Sequence, residues 1–140
     1  LVGIHFFNPV AMMPLVEVVA GERTAPEVAQ KAAAFVRKID KLPLPVKDAP
    51  GFLVNAVLGP YMNEAMKCVD EGIAAEAIDA ALVAFGMPMG PIELTDYVGL
   101  DTTLSIVEGW TKRYPNEPAF TVPAVLRGSG SAPRRGILSA

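Results

Sequence analysis

Three polar residues in apolar surroundings could do proton chemistry. His5, in Gly3-Ile4-His5-Phe6-Phe7-Asn8-Pro9, is the one histidine among 140 residues, and histidine is the side chain that ordinarily exchanges a proton near neutrality. Glu17 interrupts the apolar run Leu15-Val16-Glu17-Val18-Val19. A carboxylate buried there costs on the order of several kcal/mol unless it is paired. Pairing with His5 removes that cost, holds the imidazole in one tautomer and balances its charge, which is the minimal equipment of a proton relay. Asn55 is the third, near the start of an otherwise apolar helix pattern. Spacing alone leaves a plainer reading ahead for each. His5 could be a hydrogen-bonded structural residue, Glu17 an outward-facing residue at a sheet edge, and Asn55 an early-turn residue bonding backbone.

To act together, His5 and Glu17 need neighbouring strands. Val2 to His5 and Pro14 to Val19 read as short strands, the second apolar enough to be buried on both faces of a largely parallel sheet. Thr24 to Lys41 reads as a helix with Thr24 as cap, Glu27 completing a capping box and Pro26 in the first turn. Val28, Ala32, Phe35, Val36 and Ile39 recur at helical spacing and are expected to cover a sheet face. Leu42 to Val46 fits a strand that Pro43 and Pro45 confine to an edge or end. This is the closing portion of an α/β domain.

From Asp48, a candidate cap, the pattern turns wholly helical. Pro50-Gly51 is expected to open a helix running to about Asp70, with Phe52, Leu58, Met62, Ala65, Met66 and Val69 on its apolar face. Ala74 to Phe85 follows, stopped by Gly86. After the rigid turn Met87-Pro88-Met89-Gly90-Pro91 come a short helix through Leu94 and Tyr97, then one through Leu104 and Trp110 capped by Asp101 or Thr102. Arg127 to Ala140, rich in Gly, Ser and Arg, reads as a disordered tail.

Composition narrows the function. Hydrophobic residues make up 51% and the net charge is −3, from 12 basic and 15 acidic residues. A core can form, and the basic stripe of a nucleic-acid binder is absent. Cys68 has no metal-ligand partner at a recognised spacing and reads as a small hydrophobe. No stretch reads as a membrane span, because Gly51 to Met62 is too short and is interrupted by Asn55 and Pro60.

Four motifs in order resemble the 3-hydroxyacyl-CoA dehydrogenase family: His5-Phe6-Phe7-Asn8-Pro9, Leu15-Val16-Glu17-Val18, Asp48-Ala49-Pro50-Gly51-Phe52-Leu53-Val54-Asn55, and the run from Gly86 to Asp101 that contains Gly90-Pro91-Ile92-Glu93-Leu94-Thr95-Asp96-Tyr97. Met13-Pro14-Leu15-Val16-Glu17 and Lys41-Leu42-Pro43-Leu44-Pro45-Val46 are closest to the dehydrogenase part of multifunctional fatty-acid β-oxidation α subunits. The resemblance implies the α/β end of a Rossmann-type NAD-binding domain over residues 1–49, an all-α C-terminal helical domain over 50–126, and a disordered or frameshifted tail over 127–140. It implies His5 as the base that takes the proton of a 3-hydroxyl, Glu17 as the residue that orients and charge-balances it, and Asn55 as a positioner of substrate and dyad. Asn8 lies in the cofactor-proximal position, and the implied cofactor is NAD. The implied substrate is an acyl-CoA, oxidised from 3-hydroxy to 3-keto. The implied packing is a homodimer, or contact with other domains of a multifunctional enzyme. The implied location is the cytoplasm of a bacterium or a β-oxidation organelle.

Three departures bear on this reading. The chain begins within a strand, so the Gly-rich nucleotide-binding half and the family's upstream substrate-contacting serine are expected to lie outside it. Ala56 stands where the family usually has arginine. The family's closing Gly-Phe-Tyr is replaced by Gly136-Ile137-Leu138-Ser139, which neighbouring reading frames of one codon choice can interconvert. The alternative is therefore a catalytically inactive fragment, or a domain kept for packing or dimerisation, and the 140-residue chain alone is expected to be inactive.

Overall fold

The computed structural model describes residues 1–128 and 136–139, in two compact units, Leu1–Ala56 and Val57–Ala140. In the first, β1 (Gly3–Phe6) and β2 (Leu15–Ala20) are antiparallel. Helix α1 (Pro26–Lys38) then crosses back, and β3 (Leu42–Lys47) joins β2 in parallel. The sheet is thus mixed, ordered β1-β2-β3. The link between β1 and β2 is too short for a crossover, whereas α1 supplies one for the parallel pair. Lys41 pins the β1–β2 turn by donating from Nζ to the carbonyls of Val10 at 2.7 Å and Met13 at 2.8 Å.

Strand alternation sorts the side chains. Val2, Ile4, Phe6, Val16 and Val18 pack with Ala32, Ala33 and Val36 of α1. The residues between them in register, Gly3 opposite Val19 and His5 opposite Glu17, belong to the other face. Two expectations for α1 fail. Phe35 and Ile39 stay largely outside, because the alanines let α1 lie close to the sheet. The Thr24 capping box does not form: the helix starts at Pro26 after Ala25 without a side-chain cap. Proline at the first position has no N–H to satisfy. The Thr24 hydroxyl instead accepts from Gly21 N–H at 3.0 Å and donates to the Leu1 carbonyl at 2.6 Å.

Helix α2 (Val54–Asp70) begins later than the sequence indicates, since residues 51–53 form a turn. The second unit continues with α3 (Ala75–Phe85), α4 (Pro91–Val98), α5 (Leu100–Arg113), a 3₁₀ turn at Pro118–Phe120, α6 (Ala124–Arg127) and a 3₁₀ turn at Ile137–Ser139. Its core is Ala65, Met66, Ala75, Ile78, Ile92, Val107 and Leu126, with Cys68 half-buried against it. Trp110 lies directly on Gly59, where an added Cβ would fall 1.7 Å from the indole carbons Cη2 and Cζ3. α5 starts after Gly99 at φ 97°, not from a cap at Asp101 or Thr102.

Three carboxylates reach across the second unit to backbone N–H groups that begin other elements. Asp79 takes Ile92 at 2.8 Å and Glu93 at 2.9 Å in α4, and Asp70 takes Ala124 at 2.6 Å and Val125 at 2.7 Å in α6. Asp96 takes Ile137 at 2.6 Å and Leu138 at 2.9 Å. This last contact corrects the expectation of a tail disordered from 127 onward. Arg127 ends a helix, and Ile137 and Leu138 pack against the core. Residues 129–135 and 140 lie outside the described residues. Among the described residues no helix is long and apolar enough to cross a membrane.

Candidate active site

The register that sets His5 opposite Glu17 brings the two side chains together: His5 Nδ1 lies 2.7 Å from Glu17 Oε2. Glu17 is fully buried, whereas the His5 side chain is 33% exposed. One end of the pair is therefore dry and the other open. The second carboxylate oxygen is also used. Glu17 Oε1 accepts the backbone N–H groups of Leu53 and Val54, each at 3.0 Å. These are among the N–H groups that a helix start leaves without an intrahelical partner. Asp48 is therefore not the cap of α2, and its own N–H donates to the Ala20 carbonyl.

Burial by itself pushes the Glu17 carboxyl up. The Val54 N–H, the hydrogen bond with His5, the Leu53 N–H and the charge of His5 together outweigh it, and the pKa lies below the ordinary 4.5. Glu17 is thus a buried ion with all its charge directed. A carboxylate can only accept, so in the neutral imidazole Nδ1 carries the proton. Nε2 is left as the nitrogen able to take one up. The pair can remove a proton from a bound hydroxyl and return it.

The remaining candidates are less engaged. Asn55 is in the first turn of α2, just past the N–H groups that hold Glu17, and it is exposed. Asn8 follows β1 and is exposed. Neither side chain is joined to the pair by a hydrogen bond among the described residues. Sequence reasoning missed two participants: the backbone of Leu53 and Val54, and the ring of Phe52. Phe7 and Phe52 flank the imidazole, with ring centroids 4.8 Å and 5.4 Å from it. The signal available for Phe52 was its place directly after Pro50-Gly51, a turn dipeptide.

Comparison with known proteins decides the lineage of this arrangement. Residues 1–49 match the family described as 3-hydroxyacyl-CoA dehydrogenase, NAD binding domain, and residues 51–137 match 3-hydroxyacyl-CoA dehydrogenase, C-terminal domain. The chain belongs to the 3-hydroxyacyl-CoA dehydrogenase family. A probable 3-hydroxyacyl-CoA dehydrogenase of Caenorhabditis elegans is 43% identical over 136 residues, covering 96% of this chain and 44% of the relative. The fatty acid oxidation complex subunit alpha of Shewanella amazonensis is 50% identical over 106 residues, 76% of this chain and 15% of the subunit. The crystal structure of 3-hydroxybutyryl-CoA dehydrogenase from Escherichia coli superposes with a TM-score of 0.84 at 40% identity, covering 90% of this chain and 27% of that one. The chain therefore spans less than half the length of these dehydrogenase relatives.

The family uses NAD, and the donor set fits one end of it. A carboxylate-backed imidazole with one nitrogen open is what a hydride acceptor needs beside it, since the hydroxyl proton must leave as the hydride does. The Gly-rich strand-turn-helix that binds a pyrophosphate is not among the 140 residues.

Proposed function

We propose that this chain supplies the proton-transferring part of an NAD-dependent oxidation of 3-hydroxyacyl-CoA to 3-ketoacyl-CoA in fatty-acid β-oxidation. The observation that supports it best is the buried, doubly anchored Glu17 holding the half-exposed His5. His5 Nε2 takes the 3-hydroxyl proton while Nδ1–H stays on Glu17, so the imidazolium forms beside a charge already in place. Bound NAD would supply the hydride acceptor for C3. Asn55 positions the substrate and Asn8 lies at the nicotinamide end. In the reverse direction His5 returns the proton to the ketone oxygen. Acyl-CoA is the substrate class.

One observation favours a second reading for the isolated chain. With no pyrophosphate-binding turn among its 140 residues, it is expected to show no NADH oxidation with a 3-ketoacyl-CoA. A chimaera carrying the amino-terminal NAD-binding segment of the Escherichia coli relative ahead of Leu1 is expected to be active. His5→Ala in that chimaera should lower kcat by about 10²–10⁴-fold, the usual worth of a general base. Near-normal kcat in the variant removes His5 from the mechanism, and turnover by the isolated chain overturns the need for the missing turn.

A further inference from the structure

We infer that Phe52 is a positioning residue for the base: with Phe7 it locks the plane of the His5 imidazole, so that Nδ1 stays on Glu17 and Nε2 stays available. This rests on the reading of His5 as the base, although the lock itself is a property of the folded chain.

The turn before α2 is built unusually. Gly51 and Phe52 both adopt positive φ, 76° and 49°. Glycine takes that conformation freely, but a bulky L side chain rarely does. A glycine or asparagine would serve the second position with less strain, yet an aromatic ring is there. The ring lies 5.4 Å from that of His5 with the planes at 56°, while Phe7 approaches at 4.8 Å and 62°. Both are tilted, edge-type arrangements of the kind that aromatic pairs prefer.

The same turn performs a second task. Phe52 N–H closes it onto the Ala49 carbonyl at 2.9 Å, and the next two N–H groups bind Glu17 Oε1. Ring and carboxylate are thus fixed by one piece of backbone. A single hydrogen bond to Glu17 does not stop the imidazole from turning about its own Cβ–Cγ bond, which takes Nδ1 off Oε2 and lets the proton redistribute between the two nitrogens. Contacts on the ring from Phe7 and Phe52 oppose that turn. Strain at an outlying φ persists where surrounding contacts over-determine it, and here those contacts converge on the base and its partner.

His5 is the sole histidine, so its two ring nitrogens can be read directly by long-range proton–nitrogen-15 correlation in the intact 140-residue chain. At alkaline pH the wild type is expected to show one tautomer, with the two nitrogen shifts fully separated. Phe52→Gly removes the ring and relieves the backbone, and Phe52→Leu keeps apolar volume. Each should collapse the separation by about half or more through tautomer averaging, and Phe52→Tyr should restore it. Full separation in folded F52G or F52L overturns the proposal.

Phe7→Leu tests the lock without touching the turn, and wild-type separation there also counts against it. The unsubstituted chain gives a check independent of any variant's folding: cross-relaxation between Phe52 ring protons and the His5 imidazole is expected, and its absence overturns the contact. An active H5A chimaera would defeat the dehydrogenase reading while leaving these spectra unchanged, so the two failures are distinguishable.

Discussion

Glu17 in the first unit and Asp79, Asp70 and Asp96 in the second use one device. Each carboxylate reaches across the chain to two successive backbone N–H groups at the start of another element. The difference lies in how the oxygens are divided. Each aspartate gives one oxygen to each N–H. Glu17 places both N–H groups on Oε1 and keeps Oε2 for His5. A carboxylate that uses both oxygens on backbone is a fastener; one that spares an oxygen can also hold a side chain that reacts. This difference lies in the geometry and does not follow from residue type alone, since acidic residues cap in both units.

The comparison is broken or sharpened first at Glu17. In the active chimaera, Glu17→Gln keeps an oxygen for Leu53 and Val54 but turns an amide N–H toward Nδ1. The imidazole proton then moves to Nε2, and kcat should fall about 10²–10⁴-fold, as when the partner of a catalytic histidine imposes the wrong tautomer. A pH signature accompanies it. The folded Glu17 pKa lies below its ordinary 4.5, so the carboxylate contributes stability that is present above that value. The contribution is lost as pH falls through the lowered folded pKa. Acid denaturation of the wild type should show this loss, and E17Q should lack it. Unchanged kcat with lowered stability would make Glu17 a fastener like the others.

The second unit should respond in stability alone. Gly59→Ala drives a methyl into Trp110 and should cost about 1–3 kcal/mol in chemical denaturation, with the His5 signals unmoved. A smaller effect is expected for Asp79→Asn. It keeps one acceptor for Ile92 or Glu93 but loses the charge that strengthens both bonds, lowering stability by about 1 kcal/mol without changing kcat. A loss of kcat in D79N that exceeds its loss of folded protein would blur the line between the units.

Much of this was legible in the residues. The two short strands and a carboxylate inside Leu-Val-Glu-Val-Val that would gain from a partner are readable there, whereas the placing of His5 opposite Glu17 comes from the antiparallel register of β1 and β2. The helical run after Asp48 is equally plain. What escaped depends on contacts distant in sequence. The start of α2 differs from the expectation because its cap comes from β2, so Pro50-Gly51 marks a turn and not the first helical residues. Phe52 fits the apolar face of a helix by spacing, yet it is a left-handed turn residue whose ring lies against His5. Phe35 and Ile39 fit the helical period but lie beyond the strip that the small alanines bring against the sheet. The turn at Ile137–Ser139 depends on Asp96, which composition cannot reveal in a Gly- and Ser-rich tail.

The anchoring of Glu17 Oε1 sets an order of assembly. During synthesis the imidazole emerges first and its carboxylate soon after, but the two peptide N–H groups that share the other carboxylate oxygen arrive only at positions 53 and 54. A nascent chain cut short before them holds both members of the pair and leaves Glu17 Oε1 without its two backbone donors. Full anchoring of the His5–Glu17 pair therefore waits for the first turn of α2, and the strands alone do not provide it. Insertions within the β3–α2 connection should be tolerated far less than in most surface loops, because they would move the two N–H groups off the oxygen they share.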